Sequence, residues 1–323
     1  MKGENKRRLS EAFRSSMKIR GMDGPIDLFL YRPTGFAIAW ALSFSRISPN
    51  AVSLVSILLG VAAGACALTG TPSAFLLCAC LFQASNCFDC ADGQLARLTG
   101  RNTKEGRILD GMADYLVNLS VYLGCLAGLV QAGYSPLISL LLVAAGGAAT
   151  ALSCFFYDRV ITRQSKLVMG KDEDESEELE ALECAASANG AWRLLWRAYA
   201  LYAKLQRSSA GRNLKPSLVL ESEEERKTYA DRMYPMLMVW SFTGPSAHVL
   251  CFLVFAVLGK IDLYFAASVI GAAVTMVLVA VQSLIDLRLL EAFINKASRP
   301  KGAKHSEQSE RLCRDEGLSQ RLP

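Results

Sequence analysis

Residues 87–116 read CFDCADGQLARLTGRNTKEGRILDGMADYL. Four aspartates, Asp89, Asp92, Asp110 and Asp114, stand here in otherwise apolar surroundings, with SAFLLCACLFQASN before them and LVNLSVYLGCLAGLV after Tyr115. Both flanks are long enough to build membrane-spanning helices, which need roughly 20 mostly apolar residues. Ionisable groups at membrane depth are expensive and by default mark a functional site. Asp89 and Asp92 are three apart and Asp110 and Asp114 four apart, so each pair shares one helix face. Clustered carboxylates raise one another's pKa unless cations lie between them. Hard oxygen ligands on two facing helices suit Mg²⁺ or Mn²⁺ rather than a thiol-preferring metal. The connecting segment carries Arg97, Arg101, Lys104, Arg107 and Thr103, a lining suited to a phosphate-rich ligand. Gly93 lets a ligand approach the helix backbone, and Gly106 frees the backbone where the second helix starts.

Working outward, the 323 residues are 52% hydrophobic with a mean hydropathy of +0.25. That excludes an ordinary soluble protein, because the apolar residues come in long blocks. The pattern predicts an all-α integral membrane protein with six spans, at about Pro49–Thr69, Ser73–Leu98, Gly106–Val130, Pro136–Val160, Met233–Leu258 and Leu263–Leu290. Of the 35 Lys and Arg residues, only Lys260 falls in the short loops opposite the aspartates. The positive-inside rule then places both termini and the aspartate cluster on the cytoplasmic side. The charged start, Met1 to Arg20, is not followed by a short apolar core and cleavage site, so no cleaved leader is expected.

The domain plan has five parts. Residues 1–48 form a cytosolic basic N-terminus and an interfacial amphipathic helix, and 49–163 the first four spans. Residues 164–232 form a cytosolic helical insertion, 233–290 the last two spans, and 291–323 a cytosolic tail. Within 1–23, basic residues alternate with Leu9, Phe13, Met17 and Ile19, which fits a helix on an anionic membrane surface or a disordered basic tail. The apolar stretch Pro25–Arg46 is interrupted at Arg32-Pro33, and its second half is too short to span. In the insertion, Asp172–Glu183 is an acidic solvated run. Trp192, Leu195, Trp196, Tyr199, Tyr202 and Leu205 recur at helical spacing, as in a surface helix or a small helical packing unit. Ten cysteines are scattered. Cys87 and Cys90 form a Cys-x-x-Cys pair, but no second Cys/His pair at ligand spacing accompanies it. There is no Walker-type loop and no DNA-binding motif, so nucleic acid is not expected as a partner.

The pattern Asp-x2-Asp-Gly-x2-Ala-Arg-x8-Gly-x3-Asp-x3-Asp is met by Asp89, Asp92, Gly93, Ala96, Arg97, Gly106, Asp110 and Asp114. It resembles the signature of the CDP-alcohol phosphotransferase family, membrane enzymes of phospholipid synthesis. The resemblance implies two Mg²⁺ or Mn²⁺ ions held by Asp89, Asp92 and Asp110, with Asp114 at the edge of the pair and acting as general base. It implies CDP contacts from Gly93, Ala96, Arg97, Thr103 and Gly106. The stretch Ile47–Ser53 resembles the family's approach to its first span, which adds Asn50 and Ser53 to the CDP contacts; a capped helix start explains it equally well. Arg159 and Arg163 are expected either to hold the acceptor or to anchor the helix end by the positive-inside rule. The expected reaction moves a phosphatidyl group from CDP-diacylglycerol to the hydroxyl of a polar alcohol, releasing CMP. The alternatives are transfer from a CDP-aminoalcohol to diacylglycerol and, in a different class, cation transport. A homodimer is expected, with Gly60, Gly64 and Gly146–Ala149 as close-approach surfaces that could also serve packing within one subunit.

Overall fold

The computed structural model describes residues 10–17, 23–101, 104–169 and 222–297. The described residues hold nine α-helices: α1 (10–16), α2 (Arg32–Ser43), α3 (Pro49–Ala67), α4 (Pro72–Thr99), α5 (Lys104–Gln131), α6 (Pro136–Met169), α7 (Glu223–Trp240), α8 (Pro245–Val257) and α9 (Ile261–Ala297). One π turn, Asp27–Tyr31, leads into α2, and no strand occurs among these residues. The acidic run, the Trp192–Leu205 stretch, Thr103 and the chain after Ala297 lie outside the described residues.

The helix starts follow one chemical device. Ser48 and Thr71 accept backbone N–H bonds from Ala51 (3.3 Å) and Ala74 (3.2 Å), and each is followed by a proline. Proline at the first helical position gives up only an N–H that has no intrahelical partner there. Four of the turns that follow helices are made by glycines with positive φ, Gly70, Gly100, Gly133 and Gly259. No other residue type adopts that conformation without a steric cost.

Five helices are long and apolar enough to cross a membrane, and six if α7 and α8 count as one bent span. The bend is 44°. It sits at Ser241–Gly244, where a short 3₁₀ turn is followed by Pro245, which has no N–H to continue the helix. The sequence predicts a span at about Met233–Leu258, and the bend falls inside it. Likewise α6 runs on to Met169 rather than ending at Val160. The interruption expected at Arg32-Pro33 falls in the first turn of α2, where proline is tolerated.

α3 packs against both α4 and α5, α2 and α8 against α4, α6 against α9, and α7 against α6. The α3–α5 contact is backbone to backbone. A Cβ added at Gly64 would collide with the Ser120 carbonyl, one at Gly124 with the Gly64 carbonyl, and one at Gly60 with Val117. Gly146 meets Phe265 of α9 in the same way. The glycine surfaces that could have served a dimer are therefore used within the subunit. Between α3 and α4, Ser56 and Ser85 each donate to the other's carbonyl, at 2.9 and 2.8 Å. Such reciprocal bonds satisfy hydroxyls that lipid would leave unpaired. Large apolar side chains such as Leu58, Leu137, Leu141, Ile270 and Val277 face outward. They form the surface a bilayer covers.

Candidate active site

The start of α3, the end of α4 and the start of α5 meet at one end of the bundle. The reason is topological. α3 and α4 are joined by the short turn around Gly70, so the start of one lies beside the end of the other. Gly100 then terminates α4 in the left-handed conformation, and α5 resumes at Lys104. Asp89 and Asp92 lie in the last three turns of α4; Gly106, Asp110 and Asp114 lie in the first three turns of α5. Asp89 is half-buried, Asp92 buried and Asp114 exposed. The backbone of Asp110 is in α5, while its side chain lies outside the described residues.

Asp92 is fixed by α3. The buried Ser53 hydroxyl donates to its Oδ2, across the contact that Ser56 and Ser85 hold three residues deeper on α3. Asn50, one turn earlier, is exposed at the mouth. Ser53 thus sits in the site, bonded to a carboxylate. Ala96 is half-buried on the same helix.

Arg97 lies on a different face of α4. Its Nε donates to the carbonyl of Ser16, the last residue of α1. Its guanidinium lies over Gly93: a Cβ built there would be 3.5 Å from Nη1 and 3.6 Å from Nη2. Further along this face, Gln94 Nε2 donates to the Arg32 carbonyl (3.2 Å) and Tyr31 donates to Gln83 Oε1 (3.0 Å). Cys87 accepts from Thr34 at 3.7 Å, and Cys90 abuts Gly35. Both thiols therefore face α2. Arg32 in turn pairs with Asp23 at 2.7 Å, and Ser246 of α8 donates to Asp27 at 2.6 Å. Burial pushes the Asp27 carboxyl up despite that bond, and burial pushes the Tyr31 phenol up to about 12. Burial works against the charge on Arg32, but the Asp23 carboxylate holds its pKa above the ordinary arginine value.

The two arginines expected at the acceptor side differ. Arg159 is half-buried on α6. Arg163, one turn on, pairs with Asp286 of α9 at 2.7 Å, and the Asp286 side chain is only 4% exposed. Gln282 Nε2 donates to Asp286 at 2.9 Å and Gln164 Nε2 at 3.4 Å, while Trp240 Nε1 donates to Gln282 at 3.1 Å. The sequence reading passed over Asp286. The signal was present, as an aspartate inside an apolar run with Gln282 one turn before it.

Among the described residues, no group of three or more His, Cys, Asp or Glu side chains is placed to hold a metal ion. The chemistry of the donors still fits a hard cation, since Asp89, Asp92 and Asp114 offer only oxygen and the neighbouring thiols face away.

Residues 46–171 match the family model described as CDP-alcohol phosphatidyltransferase. That segment takes in α3 to α6 and all four aspartates, and over it the chain is similar to this family. Members are transferases of substituted phosphate groups. No curated protein matches the chain.

Proposed function

We propose, from that similarity, that the chain transfers a phosphatidyl group from CDP-diacylglycerol to the hydroxyl of a polar alcohol. The observation that carries the reading is the hydrogen bond by which Ser53 of α3 holds Asp92 of α4, at the end of the bundle where the signature stretch lies. Intramembrane transport would call for acidic groups near mid-span. Here they stand near helix ends, beside a connection rich in Arg and Lys.

In the reaction, the acceptor oxygen forms a bond to the phosphorus that carries the lipid, and the bond from that phosphorus to the CMP oxygen breaks. CMP leaves with the bonding pair. Asp114, exposed at the mouth, takes the hydroxyl proton as general base. Asp89, Asp92 and Asp110 would hold two Mg²⁺ or Mn²⁺ ions, with Asp114 at their edge. Bound there, the ions supply neutralising charge for the diphosphate and the leaving oxygen. Arg97 adds a fixed positive charge on the same group, and Gly93 leaves room for it. Thr103, Gly106, Ala96 and Asn50 complete the CDP contacts in this reading. Arg159 is the acceptor-side cation. Arg163, already paired with Asp286, fits the anchoring role better.

Six spans, with α7–α8 as the bent fifth and α2 lying at the interface, complete the reading. The distribution of Lys and Arg supports a site facing the cytoplasm. A homodimer would have to use faces other than the Gly60–Gly64 strip, and the mass in nanodiscs reads it.

The test incubates the purified protein in lipid nanodiscs with labelled CDP-diacylglycerol and Mg²⁺. Glycerol phosphate, inositol phosphate, inositol and serine are offered as acceptors. CMP release together with one new lipid is expected, and it stops on chelation. Turnover with CDP-choline and diacylglycerol instead would overturn the choice of donor. Full turnover after exhaustive chelation would overturn the metal roles.

Gly93→Ala separates ligand space from packing. Its Cβ would meet Arg97 at ordinary contact distance, so the melting temperature should stay as in the parent. Affinity for CDP-diacylglycerol should fall on the order of tenfold, because the added methyl overpacks the ligand side. Unchanged affinity would place the diphosphate elsewhere.

A further inference from the structure

We propose that α1 is a positioning element for Arg97, setting which edge of its guanidinium meets the diphosphate of the donor. The inference rests on reading Arg97 as a donor contact. The last carbonyls of a helix have no partner within it and carry partial negative charge. The Ser16 carbonyl is one of these, is buried with its residue at 0% exposure, and receives the Nε–H of Arg97. α1 is itself pinned to α2 by Phe13, whose ring meets that of Phe36 edge-on at 5.1 Å. Phe36 continues a stack through Trp40 (5.8 Å) to Phe44 (5.3 Å). The contact therefore runs from an aromatic row on α2, through Phe13 and one turn of α1, to the arginine of the signature.

The chemical consequence lies in the geometry of the guanidinium. Arginine can offer an oxyanion either its Nε–Nη side or its two terminal nitrogens. With Nε committed to Ser16, the terminal pair over Gly93 is the edge that meets phosphate oxygens. The arginine is then held before the donor arrives, and less freedom is lost on binding. The same bond makes the N-terminal segment part of donor recognition, although it lies outside the matched residues 46–171.

The experiment measures the affinity of the full-length protein in nanodiscs for CDP-dioleoylglycerol by calorimetry, with melting temperatures alongside. Phe13→Ala should weaken binding roughly tenfold, the scale of a hydrogen bond to a charged group, with melting unchanged. Phe13→Tyr, which keeps the ring on Phe36, should bind as the parent does. Arg97→Lys loses the Nε contact outright, so adding Phe13→Ala to it should change affinity less than twofold, as expected for residues acting through one another. Effects that multiply in the double variant would overturn the proposal, because α1 would then act on the fold and not through Arg97. A Phe13→Ala variant that binds like the parent would overturn it too. Absence of CDP-dioleoylglycerol binding by the parent protein would instead overturn the reading of the donor, and this inference with it.

Discussion

Asp114→Asn is expected to keep most of the affinity for CDP-diacylglycerol while turnover falls by roughly 10²–10⁴-fold, the range for losing a general base. Asp89→Asn is expected to lose donor affinity and turnover together. The difference follows from position. Asp89 is half-buried on α4 one turn from Asp92, which Ser53 already ties to α3. Asp114 stands exposed on α5, where an incoming hydroxyl can reach it. Calorimetry of the donor beside initial rates for each variant reads both quantities. Equal loss of binding in the two variants would make Asp114 chiefly a metal ligand, and the base would have to be sought elsewhere. Near-normal turnover of Asp114→Asn would remove the residue from the mechanism.

The second large effect belongs to Asp286. Asp286→Ala leaves Arg163 without its carboxylate and strips an acceptor from Gln282 and Gln164. Breaking a buried ion pair from one side costs about 3–5 kcal/mol. Arg163 is 30% exposed, so hydration recovers part of its charge and the lower end, about 3 kcal/mol, is expected. Replacing both partners with apolar residues, Arg163→Met with Asp286→Leu, should recover most of the loss, because neither charge then remains to be desolvated. Reversible unfolding in mixed micelles measures both. A single variant as stable as the parent would mean that the pair does not hold α6 to α9.

The aspartate spacing was legible because period and chemistry coincide: carboxylates three and four apart in apolar sequence leave few alternatives. The helix starts were legible too, since Ser48-Pro49 and Thr71-Pro72 are local capping chemistry. Helix ends were less so. Hydropathy marks where the apolar slab stops, and α6 continues past it through Asp158, Arg159 and Arg163 because charged residues are good helix citizens in water. The bend between α7 and α8 was only half legible: Gly244-Pro245 was visible, but hydropathy is blind to direction. Contacts such as Arg97 with Ser16, 81 residues apart in the chain, depend on tertiary placement and leave no local trace. The glycines of α3 illustrate the same limit. Gly60 and Gly64 announce a close approach, yet only the fold names Val117 and Ser120 as what is approached.

α4 carries two unlike surfaces along its length. Ser85 and Asp92 are turned to α3, while Gln83, Cys87, Gln94 and Arg97 are turned to the N-terminal segment. Each residue of an α-helix is rotated about 100° from the last. Inserting or deleting a single residue between Gln83 and Asp89 would therefore swing every later side chain by that angle. Asp92 would leave Ser53, and Arg97 would leave Ser16, in one step. Substitutions at α4 positions outside the signature can be absorbed one at a time, but a change of length cannot. Homologous chains should accordingly vary at the remaining positions of this helix while keeping the count between its polar positions fixed.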